Sequence, residues 1–424
     1  MDIKNIEKIL KETLTIKFDK AFGLDIGDQS IEIIELEKVF RFSVTTYGRA
    51  ELPDGVVENG MILNQNILAE KLKKLLKEAK PKKVSTNRVV VSLPESQVYV
   101  KCFSLPVGLG PSALLAAITE KVSASLPINI GKVYWDYVEK PLADKKMKLV
   151  TFIGVPKEIA NSYVKFCNSI GLEVISLCTE SLSLARTILK SSPKQSLVID
   201  IGAGATNLSF FDSNDKLNMS VTIPTAGKQM TEAIKTQLKV ENIEAEALKV
   251  KFGFKESKDN NVKPIILPIL NDILSEVKQA ITYYEGTFKQ VLDDVYIIGG
   301  SSLLPGITEI IKGELKKEVQ LAVGNNINLD SLFGKNNPFS LYANVIGLGM
   351  LGASGEFRDL NLLRKMPASE ANTVNKLNLF NMGYLSPVNT VRTIINNKYV
   401  LVIMIVIIGL IFAILLQQTK NYSI

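Results

Sequence analysis

Phe22-Gly23-Leu24-Asp25-Ile26-Gly27, running into Ile31-Glu32-Ile33-Ile34-Glu35-Leu36, returns later in the chain in altered form. The second version is Leu197-Val198-Ile199-Asp200-Ile201-Gly202-Ala203-Gly204-Ala205-Thr206, followed by Asn207-Leu208-Ser209-Phe210-Phe211. Each reads as strand, tight glycine turn and strand, with an aspartate at the turn. One Asp-x-Gly is an ordinary turn. Two of them, followed by Val295-Tyr296-Ile297-Ile298-Gly299-Gly300-Ser301-Ser302, point to an α/β domain that is duplicated and closes on a nucleotide.

At 424 residues the chain exceeds one typical core, so at least two domains are expected. Its 46% apolar and 22% charged residues suit globular material plus a membrane piece. There is no histidine, which excludes histidine triads, histidine bases and histidine-ligated zinc. Cys102, Cys167 and Cys178 lack metal-ligand spacing and suit a reducing compartment. The net charge of +7 is spread along the chain. The densest basic run, residues 71–83, shares a helical pattern with Leu68, Leu72, Leu75 and Leu76 and reads as a solvated helix face. Without interleaved aromatics it predicts no nucleic-acid partner.

Along the chain, residues 1–20 read as a short helix, 21–47 as the first hairpin unit and 63–80 as an amphipathic helix. Residues 1–87 form the first part of one half-domain. Residues 88–170 read as an inserted α+β module, and 171–352 as the remainder of the core with the second half. Residues 353–398 turn polar and read as a linker. Residues 399–416 are apolar apart from Tyr399 at the flank, and predict a transmembrane helix, leaving a short tail at 417–424. No apolar signal precedes the large domain, which is therefore expected on the cytoplasmic side of the inner membrane, held by a single span.

A nucleoside triphosphate with magnesium needs backbone amides on its phosphates and carboxylates near the hydrated metal. The first turn offers Asp25, Gly27, Asp28, Gln29 and Ser30. The second offers Asp200, Gly202, Ala203, Gly204, Ala205 and Thr206. The third offers Gly299, Gly300, Ser301 and Ser302, against which an adenosine could lie. Asp25 and Asp200 are placed to hold Mg2+ through its waters, and ATP is the expected cofactor.

These three turns resemble the actin-like ATPase superfamily and, within it, the PilM family of pilus assembly proteins, relatives of the division protein FtsA. The resemblance covers roughly residues 20–352 and implies a duplicated actin-like fold with an extra subdomain at the inserted module. It implies a nucleoside site that includes Gly227, Glu246 and Lys249. It places Glu180 where relatives carry a carboxylate that orients the attacking water. One departure stands out: relatives often carry a lysine shortly after the first turn, and here Glu32 takes that place. An acid beside a triphosphate loses electrostatic stabilisation unless a cation intervenes. Nucleotide binding is expected, with slow turnover or none.

Asp359-Leu360-Asn361-Leu362-Leu363 follows the core. It resembles the cytoplasmic Ile-Asn-Leu-Leu-Pro-like peptide with which PilN, the membrane partner of PilM, docks on PilM; here Arg364 replaces the proline. The chain therefore reads as a PilM-like core carrying the start of a PilN-like partner. Leu360, Asn361, Leu362 and Leu363 are the expected docking residues, on the chain's own domain or on a neighbour's. A short tether raises the local peptide concentration to roughly the millimolar range. The implied partners are PilN- and PilO-like alignment proteins, pilus motor components and further copies of the chain. Two other readings compete. One is an FtsA-like, membrane-tethered division protein, which an amphipathic terminal helix would favour over an apolar one. The other is a small-molecule kinase, for which a second polar constellation beside Glu180 is missing.

Overall fold

The computed structural model describes residues 20–367, apart from 39–40, 143–145, 190–193, 258–259, 325–326, 330–338 and 356–359. The expected amino-terminal helix, Asp359, most of the linker and the apolar segment at 399–416 lie outside the described residues. Among the described residues no helix is long and apolar enough to cross a membrane.

The first aspartate segment forms β1 (Phe22–Ile26) and β2 (Ser30–Lys38), and β3 (Phe42–Glu51) completes an antiparallel meander. A two-stranded ribbon follows, β4 (Val57–Glu58) and β5 (Met61–Ile62), and then α1 (Gln65–Glu78). Leu68, Leu72 and Leu75 on α1 are buried, and its lysines face outward, as the spacing requires. Asn64 caps the helix by accepting from the Ile67 amide at 3.2 Å.

β6 (Arg88–Leu93) is buried from Val89 to Leu93 and pairs parallel with β1. The three-stranded sheet beyond it consists of β7 (Tyr99–Pro106), β8 (Val133–Pro141) and β9 (Met147–Pro156), ordered β7-β9-β8, with α2 (Pro111–Ser123) on one face. After it, α3 (Lys157–Ser169) buries Ile159, Tyr163, Val164 and Phe166 in the main core. The expected module at 88–170 is thus narrower in the structure. A continuously apolar strand such as Val89-Val90-Val91 belongs inside a parallel sheet covered on both faces, and no local pattern separates it from a neighbouring hairpin.

β10 (Glu173–Thr179) closes the first large sheet, whose order is β10-β6-β1-β2-β3-β16, with β16 at Ile327–Asn328. α4 (Glu180–Ile188) leads to the second half. There β11 (Ser196–Ile201), β12 (Thr206–Phe211) and β13 (Leu217–Ile223) repeat the meander. They are followed by α5 (Gly227–Leu238), α6 (Asn242–Phe252), α7 (Lys263–Phe288), β14 (Asp294–Ile298), α8 (Ile307–Leu315), β15 (Val319–Leu321) and α9 (Phe339–Ser354). The second sheet runs β13-β12-β11-β14-β15. Apart from β16, the two sheets have one topology: an antiparallel meander whose first strand takes a parallel neighbour on its other side. This is the duplication that the two aspartate turns announced.

α9 rejoins the first half and packs against β1, β2 and α4. Its small residues allow that approach: a Cβ on Gly347 would lie 2.1 Å from the Ser183 carbonyl oxygen. The stretch after α9, read as a linker that carries a docking peptide, is packed where it is described. Leu360, Asn361, Leu362 and Leu363 are buried, and Leu362 opens a short 3-10 turn, Leu362–Lys365. Leu360 joins the cluster on one face of the first sheet, while Leu362, Leu363 and Met366 join the cluster on the other. Asn361 sits at the crossing over the edge strand β10. Its Oδ1 accepts from the Leu177 and Leu363 amides, each at 3.1 Å, and its Nδ2 lies 3.5 Å from the Ile175 carbonyl oxygen. A side-chain amide here takes the place of a neighbouring strand, covering an edge that would otherwise be open.

Candidate functional site

The two meanders bring their turns to one cleft. Gly27 N–H donates to the Ser30 carbonyl at 2.9 Å in the first turn, and Gly202 N–H donates to the Ala205 carbonyl at 3.1 Å in the second, so the two turns close alike. The third turn follows β14, which pairs with β11 and sets Ile298 beside Asp200. Gly299 there has φ +86, and a Cβ would fall 2.4 Å from Asp200 Oδ1, so this position accepts only glycine. The cavity between the turns measures about 560 Å³, within the range of a small-molecule site.

Of the residues expected at the site, Asp25, Gly27, Asp28, Gln29, Ser30, Glu180, Asp200, Gly202, Ala203, Gly204, Ala205, Gly227, Glu246, Lys249, Gly299, Gly300 and Ser301 line this cavity. Thr206 and Ser302 do not. The Thr206 hydroxyl donates to the Thr225 carbonyl at 2.8 Å, and the Ser302 hydroxyl to the Gly299 carbonyl at 2.7 Å, so both side chains hold the turns from behind.

Asp25 accepts a 2.6 Å bond from the Ser92 hydroxyl, to which Asn344 donates in turn at 3.3 Å. Enclosure raises the pKa of Asp25, with Ser92 and Asn344 opposing. Asp200 is pushed up to about 7, by enclosure first and then by Asp25 and Glu95. The Asp25 charge thus acts on Asp200 across the cleft, from one half to the other. Glu180 begins α4 and accepts from the Asn207 amide at 3.2 Å, and Asn207 is itself held by the Thr222 hydroxyl at 2.9 Å. Its carboxyl is held well above the usual range by enclosure, then by Asp25, Asp200 and Glu95. A carboxyl so disposed is a poor base until a cation enters.

Lys249 is buried and its three N–H donors are spoken for: the Gly227 carbonyl at 3.0 Å, the Thr231 hydroxyl at 2.7 Å and Glu246 at 2.7 Å. With Gly227, it forms one wall. Glu32 stands opposite Asp25 across β1–β2, and Arg49 stands opposite Glu32 across β2–β3. Arg49 Nε donates to Glu32 at 2.9 Å, yet enclosure and the Asp25 charge still push Glu32 up to about 7.

Several lining residues escaped the sequence reading. Glu95 is buried in the short turn after β6, accepting from the Ser220 hydroxyl at 2.6 Å and the Ser181 amide at 3.1 Å. It thereby ties the first sheet to both the second sheet and α4. Arg49, Asn59, Gly60, Asn207 and Asn344 also line the cleft. Only strand register, which the sequence does not carry, puts Arg49 and Glu32 on one face.

Comparisons with known proteins agree with this architecture. A family model described as Type IV pilus assembly protein PilM matches residues 23–331. The cell division protein FtsA of Streptococcus pneumoniae is 24% identical over 384 residues, covering 80% of this chain and 81% of the relative. FtsA of Enterococcus faecalis is 24% identical over 371 residues, covering 77% and 82%. A solved PilM-PilN type IV pilus biogenesis complex superposes with a TM-score of 0.66 at 20% identity, over 79% of this chain and 98% of that one. That likeness speaks for the fold. Because the span matched by the family takes in all three glycine turns and the inserted sheet, the chain belongs to the PilM family of type IV pilus assembly proteins.

Proposed function

We propose that the chain is a nucleotide-responsive scaffold of a pilus assembly complex at the inner membrane. It binds an adenine nucleotide, ATP or its diphosphate product, with Mg2+ in the cleft between the duplicated halves. The observation that carries this reading is the pairing of Asp25 and Asp200 on two like turns around one cavity. Among the described residues no lysine or arginine figures among the groups acting on either carboxyl, and no group of three or more acidic, cysteine or histidine side chains is placed to hold a metal directly. Such a donor set suits a hydrated Mg2+ held through its waters, which would supply the positive charge that the enclosed carboxylates lack. Glu180, bonded to Asn207 and carrying a raised pKa, supports slow turnover. Binding that favours one relative placement of the two halves would alter the affinity for partners.

We further propose that residues 360–363 are a PilN-like docking peptide bound in cis, and that the residues beyond lead to a membrane span. The buried Leu360-Asn361-Leu362-Leu363 on the β10 edge supports this. The binding half of the proposal is tested by calorimetric titration with Mg-ATP and Mg-ADP. One site per chain, lost in Asp200→Ala, is expected. No heat up to millimolar nucleotide overturns it.

A further inference from the structure

The cleft contains an anion seat that the protein fills itself. Asn59 and Gly60 are consecutive residues with φ of +50 and +74. Their amides point the same way, the arrangement in which successive N–H groups cradle an anion. The anion is Asp28: its Oδ2 accepts from Asn59 N–H and its Oδ1 from Gly60 N–H, each at 3.0 Å. From there the carboxylate reaches the second turn, since a Cβ on Gly204 would lie 2.6 Å from Asp28 Oδ2. A carboxylate on a backbone nest, reaching from the first turn to the second, sets a negative charge and two acceptor oxygens where a terminal phosphate would need to lie. Glu32 adds a further acid on the same side of the cleft, and Arg49, the cation beside it, is already paired with it.

We propose that Asp28 determines nucleotide specificity: its carboxylate takes the place of a terminal phosphate between the two turns, so the cleft selects a nucleoside diphosphate with Mg2+ over the triphosphate. This rests on the nucleotide-binding reading above and names the ligand of that same site. A third phosphate would have to displace Asp28 from its two amides or lie against its charge.

The test is calorimetry on the full chain with Mg-ADP and with Mg-AMP-PNP, a non-hydrolysable triphosphate, for the wild type and Asp28→Ser. In the wild type Mg-ADP binds at least tenfold tighter. In Asp28→Ser, which leaves the nest free and removes the charge, the ratio closes or reverses. Circular dichroism and Tm establish that the variant is folded, and the wild-type ratio stands as a test without it. Equal or tighter binding of Mg-AMP-PNP by the wild type overturns the inference while leaving nucleotide binding intact. An unchanged ratio in Asp28→Ser does the same. No uptake of either nucleotide by either protein overturns the nucleotide reading itself, and this inference with it.

Discussion

Truncating Leu362 tests whether the segment after α9 is held as the structure describes. Leu362 is 2% exposed and packs in the cluster formed by β1, β6, β10 and α3. Leucine-to-alanine changes at such sites cost about 2–5 kcal/mol. Among the described residues the segment is tied chiefly by Leu360, Leu363, Met366, the Asn361 bonds and the Lys365–Asp136 pair, so the loss falls on local docking rather than on the whole fold. At about 1.4 kcal/mol per tenfold change, a loss of ~3 kcal/mol raises the undocked population about a hundredfold. Trypsin reads that population directly. Arg364 and Lys365 are exposed but lie within the 3-10 turn, and Lys365 pairs with Asp136 at 3.1 Å, so cleavage needs the turn to open. Where opening is fast relative to cleavage, the rate tracks the open population. Leu362→Ala is expected to be cut at these sites ~100-fold faster, with the core intact and the Leu177 amide exchanging faster with solvent. Asn361→Asp should act in the same direction, because it keeps the acceptor for Leu177 but sets a negative charge towards the Ile175 carbonyl. An unchanged cleavage rate in Leu362→Ala would refute the docking energetics.

Three further outcomes follow from the same geometry. Glu32 and Asp200 are both raised to about 7, so between pH ~4 and ~7 the folded chain keeps protons that the unfolded chain releases, and stability falls as pH rises through that window. Without divalent cations the Tm should therefore be higher at pH 5 than at pH 8, with the slope reduced in Glu32→Gln; a Tm that climbs with pH across this window contradicts the assignment. Added Mg2+ with nucleotide should stabilise more at pH 8 than at pH 5, measured by the same thermal scan; equal shifts would detach the carboxylates from the metal. Gly347→Ala drives a methyl against the Ser183 carbonyl and should cost about 1–3 kcal/mol; an unchanged Tm would mean that α9 and α4 are less tightly apposed.

The duplicated halves were legible because a glycine turn with an aspartate is short, local chemistry. Gly27, Gly202 and Gly299 mark turns that constrain the backbone wherever the rest of the chain goes. The part of the lining that those turns contribute followed from that, along with the helices whose apolar spacing matched one face, such as Leu68-Leu72-Leu75. What stayed hidden depends on register and on long-range packing. Val89-Val90-Val91 reads equally well as part of a hairpin, and only its parallel pairing with β1 assigns it to the first sheet. Glu95 has no local mark, yet Ser181 and Ser220 converge on it from two other elements. Thr206 and Ser302 belonged to the motifs but point behind them, a matter of side-chain direction on alternate strand and turn positions. The sequence marks Leu360, Asn361, Leu362 and Leu363 as a docking peptide but not the place where it docks, because that groove is built by β1, β6, β10 and α3, far away along the chain.

The central claim is that two like aspartate turns clasp one nucleotide and its metal. Crystals grown with Mn2+ and ADP, measured at the manganese absorption edge, address it directly. The account predicts one nucleotide in the cleft, phosphates against the turns at residues 27–30 and 202–205, and a single anomalous peak between Asp25 and Asp200. A cleft without nucleotide at saturating ADP, or a peak elsewhere on the chain, would contradict it.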